Sequence, residues 1–116
     1  DKEVPNSTVI ITNPTHFAVA LKYEKGASPV PRVVAKGVDA LSKRIRDLAN
    51  KNKSLIVANL LLARALYREV KPGQEIPRTF YHSVDKIIAT NYRLDEEKRK
   101  MRQGYYNQPG GQAPLS

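Results

Sequence analysis

The sequence predicts a small single α/β domain, with a short, mostly β central sheet of about four strands flanked by amphipathic helices. Three observations carry this reading. Short apolar, β-prone runs alternate with stretches of helical period, the order that builds a sheet with helices packed on it. A chain of 116 residues with 41% hydrophobic residues holds one small two-layer core. Proline, glycine and polar clusters fall between the runs, where turns are needed.

Residues 1–7 are polar, with one proline, and predict an extended lead-in. Strands follow at 8–12 and 17–23, built on Val9-Ile10-Ile11 and Phe17-Ala18-Val19-Ala20-Leu21. Residues 24–31, ending in Ser28-Pro29-Val30-Pro31, are turn-formers throughout and predict a loop. A short β-prone run at 32–35 is punctuated by Lys36-Gly37. From 38 to 50, Val38, Leu41, Ile45 and Leu48 recur at helical spacing while Lys43, Arg44, Arg46 and Asp47 take the other face. Lys51-Asn52-Lys53 breaks this helix, Leu55-Ile56-Val57-Ala58 reads as a buried strand, and Asn59 caps a helix running to Tyr67 or Glu69. Within that helix, Arg64 is expected to be at least half-buried and paired, because an unpaired buried charge is costly. Lys71-Pro72-Gly73 ends it, and Ile76-Pro77 opens another with Phe80, Val84, Ile87 and Ile88 on one face and His82 at the surface. Residues 8–94 thus form the globular part. The charge run 95–102 can extend this helix but has little to bury, and 104–116 has too few apolar residues to offset the entropy of ordering, so 95–116 as a whole predicts a flexible tail.

With no cysteine, the chain has neither disulfides nor thiolate metal sites. No glycine-rich phosphate loop or zinc spacing occurs, so no cofactor or metal is expected. No stretch approaches the roughly 20 apolar residues that span a bilayer. Twenty Lys+Arg against 11 Asp+Glu give a formal charge of +9. Such a charge suits an acidic partner, a nucleic acid or an anionic membrane, and equally a basic surface that is merely solvated. Tyr105-Tyr106 beside basic residues could stack on bases, but two aromatics in a glycine-rich tail are weak support, and no specific nucleic acid is expected.

The chemistry lies in Asn13-Pro14-Thr15-His16, between the first two apolar runs. An ordinary asparagine closes a succinimide when the next residue's backbone N–H attacks its side chain. Proline has no such N–H. The intramolecular route left is the reverse: the Asn13 side-chain nitrogen attacks the Asn13 main-chain carbonyl and expels the Pro14 nitrogen. An amide nitrogen is a poor nucleophile, so the fold must hold it over the carbonyl and supply a donor for the developing oxyanion. Thr15 offers a hydroxyl and an oriented backbone N–H, and His16 can exchange protons near neutrality. Asn-Pro is also a common turn initiator, and alone it would be read as a turn. Its setting between two β-prone runs favours the reactive reading, with a self-cleaving turn between the first two strands.

The run from Val9 to Leu21 through Asn13-Pro14-Thr15-His16 resembles the cytoplasmic domain of the FlhB/YscU family, the export-switch proteins of flagellar and virulence type III secretion. Two further blocks agree in order, Pro31-Arg32-Val33-Val34-Ala35-Lys36-Gly37 and Leu62-Ala63-Arg64-Ala65-Leu66-Tyr67. One departure falls just before that last block, where the family usually has proline and this chain has Leu61. The resemblance implies a single-turnover cut between Asn13 and Pro14, with Thr15 and His16 assisting, that permits a change in the class of exported substrate. It implies an N-terminal transmembrane region placing this domain on the cytoplasmic face of the bacterial inner membrane. Its partners would be other export-apparatus subunits and exported proteins. Val30 and Pro31, in an apolar loop, are candidates for docking them. The alternatives are a basic nucleic-acid-binding module and an interaction scaffold in which Asn13-Pro14 is only a turn.

Overall fold

The computed structural model describes residues 9–14, 16–24 and 28–106. The lead-in over 1–7, Thr15, and residues 107–116 of the expected tail lie outside the described residues, as do the side chains of Tyr105 and Tyr106. The elements run β1 (Val9–Asn13), β2 (Phe17–Glu24), β3 (Ser28–Val38), α1 (Asp39–Lys51), β4 (Leu55–Ala58), α2 (Leu60–Glu69), a 3-10 turn (Arg78–Phe80) and α3 (Tyr81–Tyr106). Four strands form one mixed sheet in the order β3-β2-β1-β4. β1 is antiparallel to β2 and parallel to β4, and β2 is antiparallel to β3.

β1 explains the layering. An internal strand covered on both faces reads as a continuous apolar run rather than an alternation, and Val9, Ile10 and Ile11 are all fully buried. Val9 and Ile11 enter one core with Val19, Leu21 and Val33, closed by Leu62, Ala63 and Leu66 of α2 and by Phe80, Val84 and Ile88. Ile10 faces the other side, a smaller core with Ala18, Ala20, Ala35, Ile45 and Ala49. The result is α1 on one face and α2 with α3 on the other.

Several expectations change on contact with the fold. The loop expected over 24–31 is strand from Ser28 onward, and the short run at 32–35 is part of a strand of 11 residues. Proline is tolerated in a strand at an edge or a bulge. β3 is an outer strand, and its pairing with β2 shifts register between Lys22 and Glu24. Part of its free edge is covered, because Ile76 N–H donates to the Pro31 carbonyl and Val33 N–H to the Gln74 carbonyl, both at 2.9 Å. Gly37 does not break β3: it pairs with Ala18, and a Cβ there would lie 2.5 Å from Leu41 Cγ. Its missing side chain is what lets α1 approach the sheet.

The stripe expected on α1 is rotated. Val38 belongs to β3, Leu41 is 41% exposed, and the residues that face the sheet are Ser42, Ile45 and Ala49. Small side chains at Ser42 and Ala49, opposite Ala18, Ala20 and Ala35, permit a close helix-on-sheet approach that a row of leucines would hold apart. β4 is half-buried rather than buried, as the other edge strand. Asn59 does cap α2, accepting from Leu62 N–H at 3.2 Å. Arg64 is exposed, contrary to the buried pairing expected, because α2 turns Leu62, Ala63 and Leu66 inward. Leu61, where the resemblance implies a proline, points to solvent at 81% exposure. α3 continues through the charge run to Tyr106, so the first part of the segment set apart as tail is helix. Among the described residues no helix is long and apolar enough to cross a membrane.

Candidate functional site

Asn13, Pro14 and His16 sit on the hairpin between β1 and β2, at the end of the sheet where α1 and α2 begin. Asn13 is the last residue of β1, half-buried and paired across the ladder with Phe17. Its neighbour Thr12 is fixed on both sides. It pairs with Ala18 and Ala58, and its carbonyl accepts from Asn59 N–H at 2.9 Å. Asn13 therefore follows directly on a residue held from both sides. Pro14 is exposed at the tip, where its fixed φ suits the second position of a β-turn.

That turn is closed by one hydrogen bond, from His16 N–H to the Asn13 carbonyl oxygen at 2.9 Å. The carbonyl concerned is the one the cleavage chemistry attacks. A backbone N–H aimed at it in the ground state polarises it and is in position for the oxyanion that attack would create. The N–H on this carbonyl is that of His16, because a β-turn bonds its first and fourth residues; Thr15, expected to offer an oriented N–H of its own, lies outside the described residues. His16 thus brings two groups to the hairpin, an imidazole and a backbone donor.

The His16 ring is exposed and lies 6.5 Å, centroid to centroid, from Phe17. Its Nδ1 is 3.6 Å from Asp39 Oδ1, and its backbone carbonyl accepts from Asp39 N–H at 2.9 Å. Beneath it, the Phe17 ring packs on Tyr67 of α2 at 5.0 Å. Lys36 in turn lies 4.8 Å over the Tyr67 ring and donates to the Tyr67 carbonyl at 2.8 Å. Strands β2 and β3 are in this way clamped to α2 directly below the hairpin.

Asn13, Pro14 and His16 share one hairpin turn. Val30 and Pro31 are not part of this site. Pro31 is fully buried and Val30 half-buried against the larger core, on β3 rather than in an apolar loop. The residues missed were Asp39, Asn59 and Tyr67. Asn59 was visible as a cap, but its bond to Thr12 depends on the β1–β4 pairing. Asp39 and Tyr67 carry no local signal of proximity to the hairpin.

Comparison with known proteins sets this geometry in context. A family model described as the FlhB HrpN YscU SpaS Family matches residues 1–90. The flagellar biosynthetic protein FlhB of Helicobacter pylori is 43% identical over 101 residues, covering 87% of this chain and 28% of that protein. The chain thus spans about a quarter of the length of the curated relatives it matches. Among solved structures, the cytoplasmic domain of FlhB from Shewanella putrefaciens superposes with a TM-score of 0.77 at 37% identity, covering 99% of this chain and 84% of that one. An EscU C-terminal domain in which an asparagine is mutated to alanine superposes at 0.74 with 34% identity, covering 78% and 90%. With a family match over most of its length and an overall fold that superposes on those solved structures, the chain belongs to the FlhB HrpN YscU SpaS family.

Proposed function

We propose that this chain is the switch domain of a type III protein export apparatus and that it cuts itself once, between Asn13 and Pro14. The observation that carries the reading is the 2.9 Å hydrogen bond from His16 N–H to the carbonyl of the bond to be broken. The Asn13 side-chain nitrogen attacks the Asn13 carbonyl carbon, and the oxyanion forms against the His16 N–H. Collapse breaks the bond to Pro14. The proton lost by the attacking amide ends on the Pro14 nitrogen, which leaves as a secondary amine. Asn13 is left as a five-membered imide, which water opens to a carboxylate. Pro14 closes the competing deamidation route, Thr15 shapes the turn, and the His16 ring carries protons between the nitrogens. Each molecule reacts once, so this is not turnover catalysis.

The cut would alter the hairpin and spare the domain. β1 lies between β2 and β4 with Val9, Ile10 and Ile11 fully buried. Their burial is worth on the order of 5–9 kcal/mol as an upper bound. The change in local surface and charge then shifts the apparatus from one substrate class to another. The domain works on the cytoplasmic face of the bacterial inner membrane, following a membrane-spanning part, beside other export subunits and the exported proteins. Of the two docking candidates, half-buried Val30 on β3 is the proposed contact residue, and Pro31, fully buried, can act only by shaping the strand beside it.

Denaturing mass spectrometry on the purified chain tests the reading. Two fragments meeting between Asn13 and Pro14, with Asn13→Ala remaining in one piece and folded, are expected. Cleavage persisting in Asn13→Ala sinks the mechanism, and a wild-type chain that stays intact on long incubation leaves the hairpin a mere turn.

A further inference from the structure

We infer that Asp39 is a positioning residue for the cleavage reaction, acting through His16. The inference rests on the self-cleavage reading. It starts from the ladder: Phe17 pairs with Val38, and Asp39 N–H extends that pairing by one step to the His16 carbonyl at 2.9 Å. His16 is therefore held through both backbone groups, its N–H on the scissile carbonyl and its carbonyl on Asp39. Anything that loosens the second bond lets the first wander.

The backbone of Asp39 is itself unusual. Its φ is +47°, in the left-handed region, at the point where β3 ends and α1 begins. Glycine, asparagine and aspartate tolerate that conformation better than other residues. The turn alone would be served by any of the three. Only aspartate adds a charge, and Oδ1 lies 3.6 Å from His16 Nδ1. At that separation the contact is an electrostatic attraction rather than a hydrogen bond. It favours a proton on Nδ1, which leaves the Nε2 lone pair free to accept and return protons. The two side chains are 66% and 77% exposed, so water screens the attraction and its effect is modest.

The test times cleavage of wild type, Asp39→Asn and Asp39→Gly by denaturing mass spectrometry, each with His16 and with His16→Ala. Both replacements keep the left-handed turn and remove the charge. Slowing of roughly two- to fivefold is expected with His16 present, and no further slowing in His16→Ala. Equal slowing in both backgrounds, or an Asp39→Asn chain that cuts at the wild-type rate, overturns the inference. A second measurement does not depend on the reaction. In the uncut Asn13→Ala protein, ring-nitrogen NMR shifts of His16 should show the proton moving from Nδ1 toward Nε2 when Asp39→Asn is added. Unchanged shifts overturn the inference. A wild-type chain that never cuts refutes the cleavage reading, and the NMR comparison still decides whether Asp39 orders the histidine.

Discussion

Ile11→Ala separates the two jobs of β1, as part of the folded domain and as the strand that must stay bound once its covalent link is gone. Ile11 is fully buried, pairs with Val19 and Val57, and packs in the larger core with Leu62 and Leu66. Truncating such a residue costs about 2–5 kcal/mol. In a chain kept whole by Asn13→Ala, that loss should appear only as a lower urea midpoint. In the cut protein, β1 is held by burial and ladder hydrogen bonds alone, so the same loss becomes a weaker association. The fragment ending at Asn13 should then dissociate with a constant raised about thirtyfold to five-thousandfold. Size-exclusion chromatography of the cut protein at falling concentration reads this directly: the wild-type pair stays together at dilutions where Ile11→Ala sheds its fragment. If cut Ile11→Ala stays assembled at every dilution that wild type survives, burial of β1 is not what retains the strand.

Two further outcomes follow from the geometry. His16→Ala should slow cleavage by about a hundredfold or less, without stopping it, since the donor on the Asn13 carbonyl is backbone and survives the substitution while proton transfer through the ring is lost; complete loss, measured by fragment appearance over days, would mean that the backbone donor contributes nothing without the ring. Arg64→Ala should change the unfolding free energy, measured by urea denaturation, by no more than about 0.5 kcal/mol, because the side chain is exposed on α2. A loss of several kcal/mol would restore the buried pairing that its apolar neighbours suggested.

The elements that could be read from sequence are those whose signal is local. Asn59 before Leu60, and Phe80, Val84 and Ile88 at helical spacing, each state their role within a turn or two of chain. The misread elements depend on position in the sheet. Pro29 and Pro31 look like loop residues until β3 is known to be an outer strand with irregular pairing. Leu41 looks like core until Gly37 and the alanines of β2 and β3 are seen to draw Ser42 and Ala49 onto the sheet in its place. For α1 hydrophobicity is a poorer guide than size, because what limits its approach is volume at the contact rather than the number of apolar atoms.

The candidate site divides along the same line. In the proposed cleavage, nucleophile, carbonyl and leaving group all belong to Asn13 and Pro14, two consecutive residues, so the reaction is legible in the chain itself. Its activation is not. Closing the turn requires His16 to reach back to Asn13, and holding His16 requires Asp39, which is near only because β2 and β3 pair with Phe17 opposite Val38. A one-residue slip of that register would turn every side chain of β3 to the other face. It would also carry the Asp39 N–H off the His16 carbonyl. An Asn-Pro peptide in solution has the same reacting atoms without this constraint, so the rate difference between peptide and domain measures what the sheet adds. That difference should shrink in any variant that disturbs the β2–β3 register, even one far from the hairpin, while the identity of the bond cut stays the same.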